Sequence, residues 1–157
     1  MKKNFIIYGA YGYTGTLITE LAVSKGLKPL LVGRSDQKLS ALANLHGLSY
    51  KVLDIQNLKE LDSVIDNYAL ILNRAGPFSE TAHQVIQYCL EKNLHYTDIT
   101  GEVGVFEMAK TFDQDAKEKK IMVMPGTGFD VVPSDCLAKY LSEKLPDATD
   151  LELAFNG

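Results

Sequence analysis

At 157 residues, with 46% apolar and 23% charged side chains, the chain has the makeup of one ordinary globular domain, which excludes disordered and collagen-like classes. A formal net charge of -4, with lysines and arginines scattered along the chain, argues against a nucleic-acid partner. No apolar run approaches the ~18 residues that span a bilayer, and K-K-N-F-I-I-Y-G is too short for a signal peptide, so no transmembrane segment and a cytoplasmic address are expected.

The first element is a short β-type run, Phe5 to Tyr8, apolar enough to be buried on both faces of a sheet. It runs into Y-G-A-Y-G-Y-T-G, with glycines at Gly9, Gly12 and Gly15, and then into a helical pattern in which Leu17, Ile18, Leu21 and Ala22 are expected to face the strand. Strand, glycine turn and helix in that order aim backbone N–H groups and the positive end of a helix dipole at one point. Missing Cβ atoms there let a diphosphate approach. A plain turn would account for one such glycine, whereas three at this spacing favour a phosphate site formed by Gly9, Tyr11, Gly12, Tyr13, Thr14 and Gly15.

Strands and helices then alternate. K-P-L-L-V-G is the second strand, K-L-S-A-L-A-N-L-H a helix, L-S-Y-K-V-L-D the third strand and L-K-E-L-D-S-V-I-D a helix. A-L-I-L-N is the fourth strand, followed by a helix whose stripe Ala82, Val85, Ile86, Cys89 and Leu90 makes Cys89 a buried hydrophobe. H-Y-T-D-I, one helix through Phe106, Ala109, Phe112 and Ala116, and I-M-V-M-P complete six strands, and a helix with Leu137, Leu141 and Leu145 follows. This alternation predicts an α/β fold, a doubly wound parallel Rossmann sheet of about six strands. L-E-L-A-F-N-G is expected as a seventh strand leading into a missing second domain. The division is therefore residues 1–150 as the dinucleotide-binding domain and 151–157 as the start of another.

In such a sheet ligands lie across the carboxyl ends of the strands. Gly33, Arg34 and Ser35 end the second strand where an NAD-binding protein usually presents a carboxylate to the ribose. Arg34 and Ser35, with Lys38 one helical turn on, suit a 2′-phosphate and hence NADP, with NAD the other candidate. Asp54 is either a neighbour of the adenine or a helix N-cap. Ala75, Gly76, Pro77 and Phe78 pass beneath the cofactor. Tyr96, Asp98 and Glu102, with Asp130 and Asp135, are the groups available for proton transfer, although helix capping competes as the role of Glu102 and Asp135. No two of His46, His83 and His95 share a ligand spacing, and neither cysteine has a metal-binding partner, so no metal is expected.

Y-G-A-Y-G-Y-T-G, V-G-R-S-D-Q-K-L, L-N-R-A-G-P-F, H-Y-T-D-I-T-G-E and G-T-G-F-D-V-V-P-S-D together resemble the saccharopine dehydrogenase-like oxidoreductases over essentially the whole chain. The resemblance implies an N-terminal Rossmann domain for NADP or NAD, then a second α/β domain carrying most contacts to a small-molecule substrate and often those of a homodimer. The sequence departs from the family pattern at Tyr11, Arg74 and Ala82. The expected function is hydride transfer to or from a C=N, C=O or C=C bond, with the isolated chain inactive. The rival reading is a nucleotide-sensing or scaffold protein that kept the sheet and lost catalysis.

Overall fold

The computed structural model describes residues 4–129 and 131–154. Strand β1 (Asn4–Tyr8) is the centre of the sheet, and its side chains alternate between two cores as the period of a strand requires. Ile6 and Tyr8 enter the larger core, whereas Ile7 enters a smaller one with Leu31, Leu39 and Leu42. Around it lie β2 (Leu30–Gly33), β3 (Tyr50–Val52), β4 (Tyr68–Asn73), β5 (His95–Asp98) and β6 (Val123–Met124). All five pairings are parallel, in the order β3-β2-β1-β4-β5-β6. The order reverses between β1 and β4, and the crevice at that switch point is where the fold admits a ligand.

Helix α1 (Tyr13–Ser24) leads from β1 to β2 and α2 (Asp36–His46) from β2 to β3. The apolar stripe expected against the sheet is rotated. Gly15, Thr19 and Ala22 are the buried residues of α1, whereas Leu17 and Leu21 are 46% and 56% exposed. Small residues win this face because α1 sits too close to the loop before it for a leucine. A Cβ on Gly15 would lie 2.5 Å from the Ala10 carbonyl oxygen and 2.7 Å from that of Gly9. Thr19 is tolerated there because its hydroxyl donates to the Gly15 carbonyl at 2.8 Å.

On the opposite face the helix expected from Leu58 onward is a 3₁₀ segment, Ile55–Ser63, with a kink at Asn57. Its three-residue period keeps Leu58 and Leu61 on one buried side. Asp62 ties the segment to α3 (Phe78–Lys92), accepting from the Tyr88 hydroxyl at 2.8 Å and Lys92 Nζ at 2.7 Å. The stripe of α3 is buried as expected, with Cys89 fully enclosed and its thiol pushed up by desolvation. The single helix expected through Phe106 and Ala116 is two, α4 (Val103–Lys110) and α5 (Asp113–Lys119). Thr111 Oγ1 donates to the Met108 carbonyl at 2.7 Å at the break, a local bond that competes with helix continuation.

Helix α6 (Val132–Lys144) buries none of its side chains. Leu151 to Ala154 form no strand among the described residues; residues 155–157 of the expected seventh strand lie outside them.

The packing at Gly15 makes a sharp prediction. Since the atoms a methyl group would meet are backbone carbonyls that cannot rotate away, Gly15→Ala should lower stability by roughly 1–3 kcal/mol. Urea unfolding should show a lower midpoint with an unchanged slope; an unchanged midpoint would mean that α1 moves freely on the sheet.

Candidate functional site

The loop between β1 and α1 is fixed from below. Gly9, at φ +84°, donates its N–H to the Val32 carbonyl at 2.8 Å, and a Cβ there would lie 2.8 Å from the Ala75 nitrogen and the Arg74 carbonyl carbon. Gly9 and Gly15 are thus demanded by the chain's own backbone. Gly12 is different. It has ordinary extended φ and ψ as the N-cap of α1, and the nearest atom to its absent Cβ is the Gly9 carbonyl oxygen at 3.6 Å. Nothing in the fold requires glycine at this position, so the open space above it is the opening a ligand would use. No side chain caps α1 and no acidic residue stands in its first turn, which leaves its first N–H groups free to meet an anion.

At the end of β2, Tyr11 turns away from the loop and lies on Gly33, whose absent Cβ would come 2.6 Å from Tyr11 Cε1. Glycine on the neighbouring strand thus makes room for the Tyr11 ring. Lys38 Nζ sits 5.5 Å from the centroid of the same ring. Ser35 caps α2 by accepting the Lys38 N–H at 3.4 Å, and a hydroxyl in that role still has its proton to donate. Asp36, the one carboxylate of this turn, accepts from the Tyr50 hydroxyl of β3 at 3.1 Å. Arg34 is exposed and borders the same recess as Gly9, Tyr11, Gly12 and Gly76. Asp54 caps the 3₁₀ segment by accepting the Gln56 N–H at 3.1 Å and also borders the cleft beside Arg34 and Tyr8. The two roles weighed for it are compatible. Burial and the Asp54 charge push the Tyr8 phenol up to about 12.

Past β4 and β5 the polar side chains hold loops together. Asn73 is fully buried at the end of β4. Its Nδ2 donates to Thr81 Oγ1 at 3.1 Å and to the Tyr96 hydroxyl at 3.3 Å, and its Oδ1 accepts the Ala75 N–H at 3.1 Å. The Tyr96 hydroxyl donates to Asp98 Oδ2 at 2.5 Å, while Asp98 Oδ1 accepts the N–H groups of Thr100 at 3.0 Å and Gly126 at 2.8 Å. Burial, reinforced by the Asp98 charge, pushes the Tyr96 phenol far above its ordinary range. Both residues are sealed from solvent and their polar atoms are engaged, so this geometry describes a brace between the loops after β4, β5 and β6. Glu102 begins α4 by position, yet it caps another helix: Oε1 accepts the Phe78 N–H at 2.9 Å and Oε2 the Ser79 N–H at 3.0 Å, both in the first turn of α3. These bonds, the Phe78 one foremost, hold its carboxyl below the usual glutamate range.

The structure thus brings Gly9, Tyr11, Gly12, Gly33, Arg34, Ala75 and Gly76 to one recess, with Asp54 and Pro77 in the adjoining part of the cleft. Tyr13 and Thr14 lie in the first turn of α1 above it, Tyr13 at 84% exposure, and Phe78 opens α3. Asp135 stands in the first turn of α6, and Asp130 lies outside the described residues. Sequence reasoning passed over Asn73, the hub of the brace, signalled by an amide closing an apolar strand. Arg74, a departure from the family pattern, borders the recess and has a buried Nε without a hydrogen-bond partner. Among the described residues no cluster of histidine, cysteine and carboxylates could hold a metal, and no helix is long and apolar enough to cross a membrane.

A six-stranded parallel sheet with a glycine loop at its switch point defines a Rossmann-type dinucleotide-binding domain. Residues 5–124 match the saccharopine dehydrogenase NADP binding domain, and the chain belongs to that family. A lipid droplet localized protein of Caenorhabditis elegans is 27% identical over 156 residues, and the human saccharopine dehydrogenase-like oxidoreductase is 25% identical over 162 residues. Each match covers 90% of this chain but only 37% and 38% of the relative, so the chain spans little more than a third of their length. In fold it is similar to apo saccharopine dehydrogenase of Saccharomyces cerevisiae, with a TM-score of 0.78 at 15% identity over 92% of this chain and 31% of that one. It is also similar to GenD2 from gentamicin A biosynthesis, solved with NAD, with a TM-score of 0.67 at 14% identity over 91% of this chain and 39% of that one. The residues present fit the group that the family is named for: the space over Gly12, the uncapped start of α1 and the orphaned Arg74 Nε all suit a dinucleotide.

The cap across α3 carries a pH signature. A carboxyl whose folded pKa is depressed contributes stability that is present above its unfolded value, about 4.3, and lost as pH falls through the folded value. Glu102→Gln should therefore melt below the parent at pH 7, and the gap should close as pH is lowered below the ordinary glutamate range. A gap that stays constant over that range would show that the Glu102 charge does not support α3.

Proposed function

We propose that the cleft at the switch point binds NADP(H) in preference to NAD(H), as the cofactor site of an oxidoreductase acting on a small C=N, C=O or C=C substrate. In this reading residues 1–150 are the cofactor-binding unit and 151–157 open a substrate-binding one. One observation carries the preference. Arg34 is exposed at the end of β2, on the edge of the recess, while Asp36, the carboxylate able to repel a 2′-phosphate from that turn, is held by the Tyr50 hydroxyl. The Arg34 guanidinium offers a bidentate fork to the phosphate, and Ser35 and Lys38 stand within the next helical turn to add donors.

A bound nicotinamide supplies hydride chemistry, and this chain's residues bind and orient it. The start of α1, at Tyr13 and Thr14, offers N–H groups to the diphosphate. Ala75 to Phe78, braced by Asn73 below and Glu102 beside, form the floor on the other side of β1. The buried Tyr96 and Asp98 support that floor, and they are read here as positioning residues.

Side-by-side titration of NADPH and NADH tests the preference. A charge-assisted pair worth roughly 1.5 to 3 kcal/mol corresponds to about 10- to 100-fold tighter NADPH binding. Arg34→Glu should erase or invert that ratio, and equal affinities in the parent would remove Arg34 from the site. Gly12→Val tests the phosphate loop itself. Because a Cβ at Gly12 meets the fold only at an ordinary contact distance, 3.6 Å from the Gly9 carbonyl oxygen, the variant should stay close to the parent's melting temperature in the absence of ligand and lose binding of both nucleotides. Retained binding would place the diphosphate elsewhere.

A further inference from the structure

Arg74 is the first residue after β4, and its main chain is pinned at the switch point. Its N–H donates to the Tyr8 carbonyl at 2.7 Å, and its carbonyl carbon occupies the space that a side chain on Gly9 would need. The side chain starts under the glycine loop and borders the same recess as Gly9, Gly12 and Arg34. Nε is buried there with no hydrogen-bond partner. The guanidinium lies 6.0 Å from the centroid of the Phe78 ring, at the outer limit of a cation–π contact. Asp98 is the carboxylate whose charge reaches it, but both Asp98 oxygens are taken by Thr100, Gly126 and Tyr96, and among the described residues Arg74 has no ion pair. Desolvation lowers its pKa, and an arginine nonetheless stays charged at any ordinary pH.

Arg74 is half-buried and its enclosed Nε–H lacks an acceptor; an unpaired buried donor costs stability, which is accounted for when a ligand supplies the acceptor. The position narrows that ligand. Arg34 and Arg74 directly follow the strands on either side of β1, so they bracket the start of α1, and the loop from Gly9 to Gly15 contains no lysine or arginine of its own. We infer that Arg74 is a direct ligand of the diphosphate of the bound dinucleotide, closing over it from the β4 side while the α1 amides meet it from the other. This inference rests on the dinucleotide reading above. It divides the labour between the two arginines: Arg34 discriminates between cofactors, whereas Arg74 contributes equally to both.

Isothermal titration of the parent and of Arg74→Leu with NADP, NAD and ADP-ribose separates these roles, and ADP-ribose reports the diphosphate without the nicotinamide. All three affinities should fall by about 10- to 100-fold in the variant, with the NADP to NAD ratio unchanged. Arg74→Lys should recover part of the loss, since it restores the charge without the fork. Thermal unfolding without ligand is the second measurement. Arg74→Leu should melt at or above the parent, because it removes a half-buried charge whose enclosed Nε–H has no partner. Unchanged affinities would overturn the inference. So would a loss confined to NADP, which assigns Arg74 to the 2′-phosphate, or a loss that spares ADP-ribose, which assigns it to the nicotinamide end or to a substrate anion. If the parent binds NADP but the variant is unaffected, the inference fails alone; if the parent binds none of the three, the dinucleotide reading fails and takes the inference with it.

Discussion

The structure depends on how closely three backbone segments approach one another where β1 ends. Gly9 lies against the peptide between Arg74 and Ala75, and Gly15 lies against the carbonyls of Gly9 and Ala10, each at a distance that no side chain could share. This contact brings the start of α1 down onto the carboxyl end of the sheet and draws the turn after β4 beneath it. A wider spacing would separate the α1 amides from the β4 turn, and the crevice between them would no longer suit one diphosphate. The glycines at either end of the loop therefore build the site, while Gly12, where a Cβ would meet nothing closer than 3.6 Å, leaves it open.

A second constraint keeps the floor of the crevice in place. Three loops, after β4, β5 and β6, converge there, and loops carry backbone groups that a sheet cannot satisfy. Asn73, Tyr96 and Asp98 satisfy them from below, and the Glu102 carboxylate satisfies the first turn of α3 from the side. Carboxylates at the carboxyl end of a Rossmann sheet invite a catalytic reading. Here their oxygens accept from the N–H and O–H donors that hold the neighbouring loops.

The order of elements was legible because it rests on local pattern. Apolar β-rich runs such as Phe5 to Tyr8 and Ala69 to Asn73 can be buried only in a two-sided sheet, and the helices between them force the strands to be parallel. Where local pattern was ambiguous, packing decided. The stripe of α1 turned so that Gly15, Thr19 and Ala22 face the sheet, since backbone proximity outweighs the burial of Leu17 and Leu21. The segment after Asp54 tightened to 3₁₀, and the helix after Glu102 broke at Thr111, each through contacts between residues near in sequence whose outcome depends on what lies above them.

The sequence by itself determined the parallel α/β sheet, the glycine loop at its switch point and the family, because spacing, alternation and motif order are properties of a string of residues. Only the tertiary structure decided what individual polar groups do. It placed Asp36 on Tyr50, made Glu102 the cap of a helix that begins 24 residues earlier, gave Tyr96 and Asp98 to a buried brace, and left Arg74 Nε without a partner at the edge of the recess. Whether a charged group is spent or available depends on which donors and acceptors surround it in space, and those come from strands and loops that the sequence sets far apart.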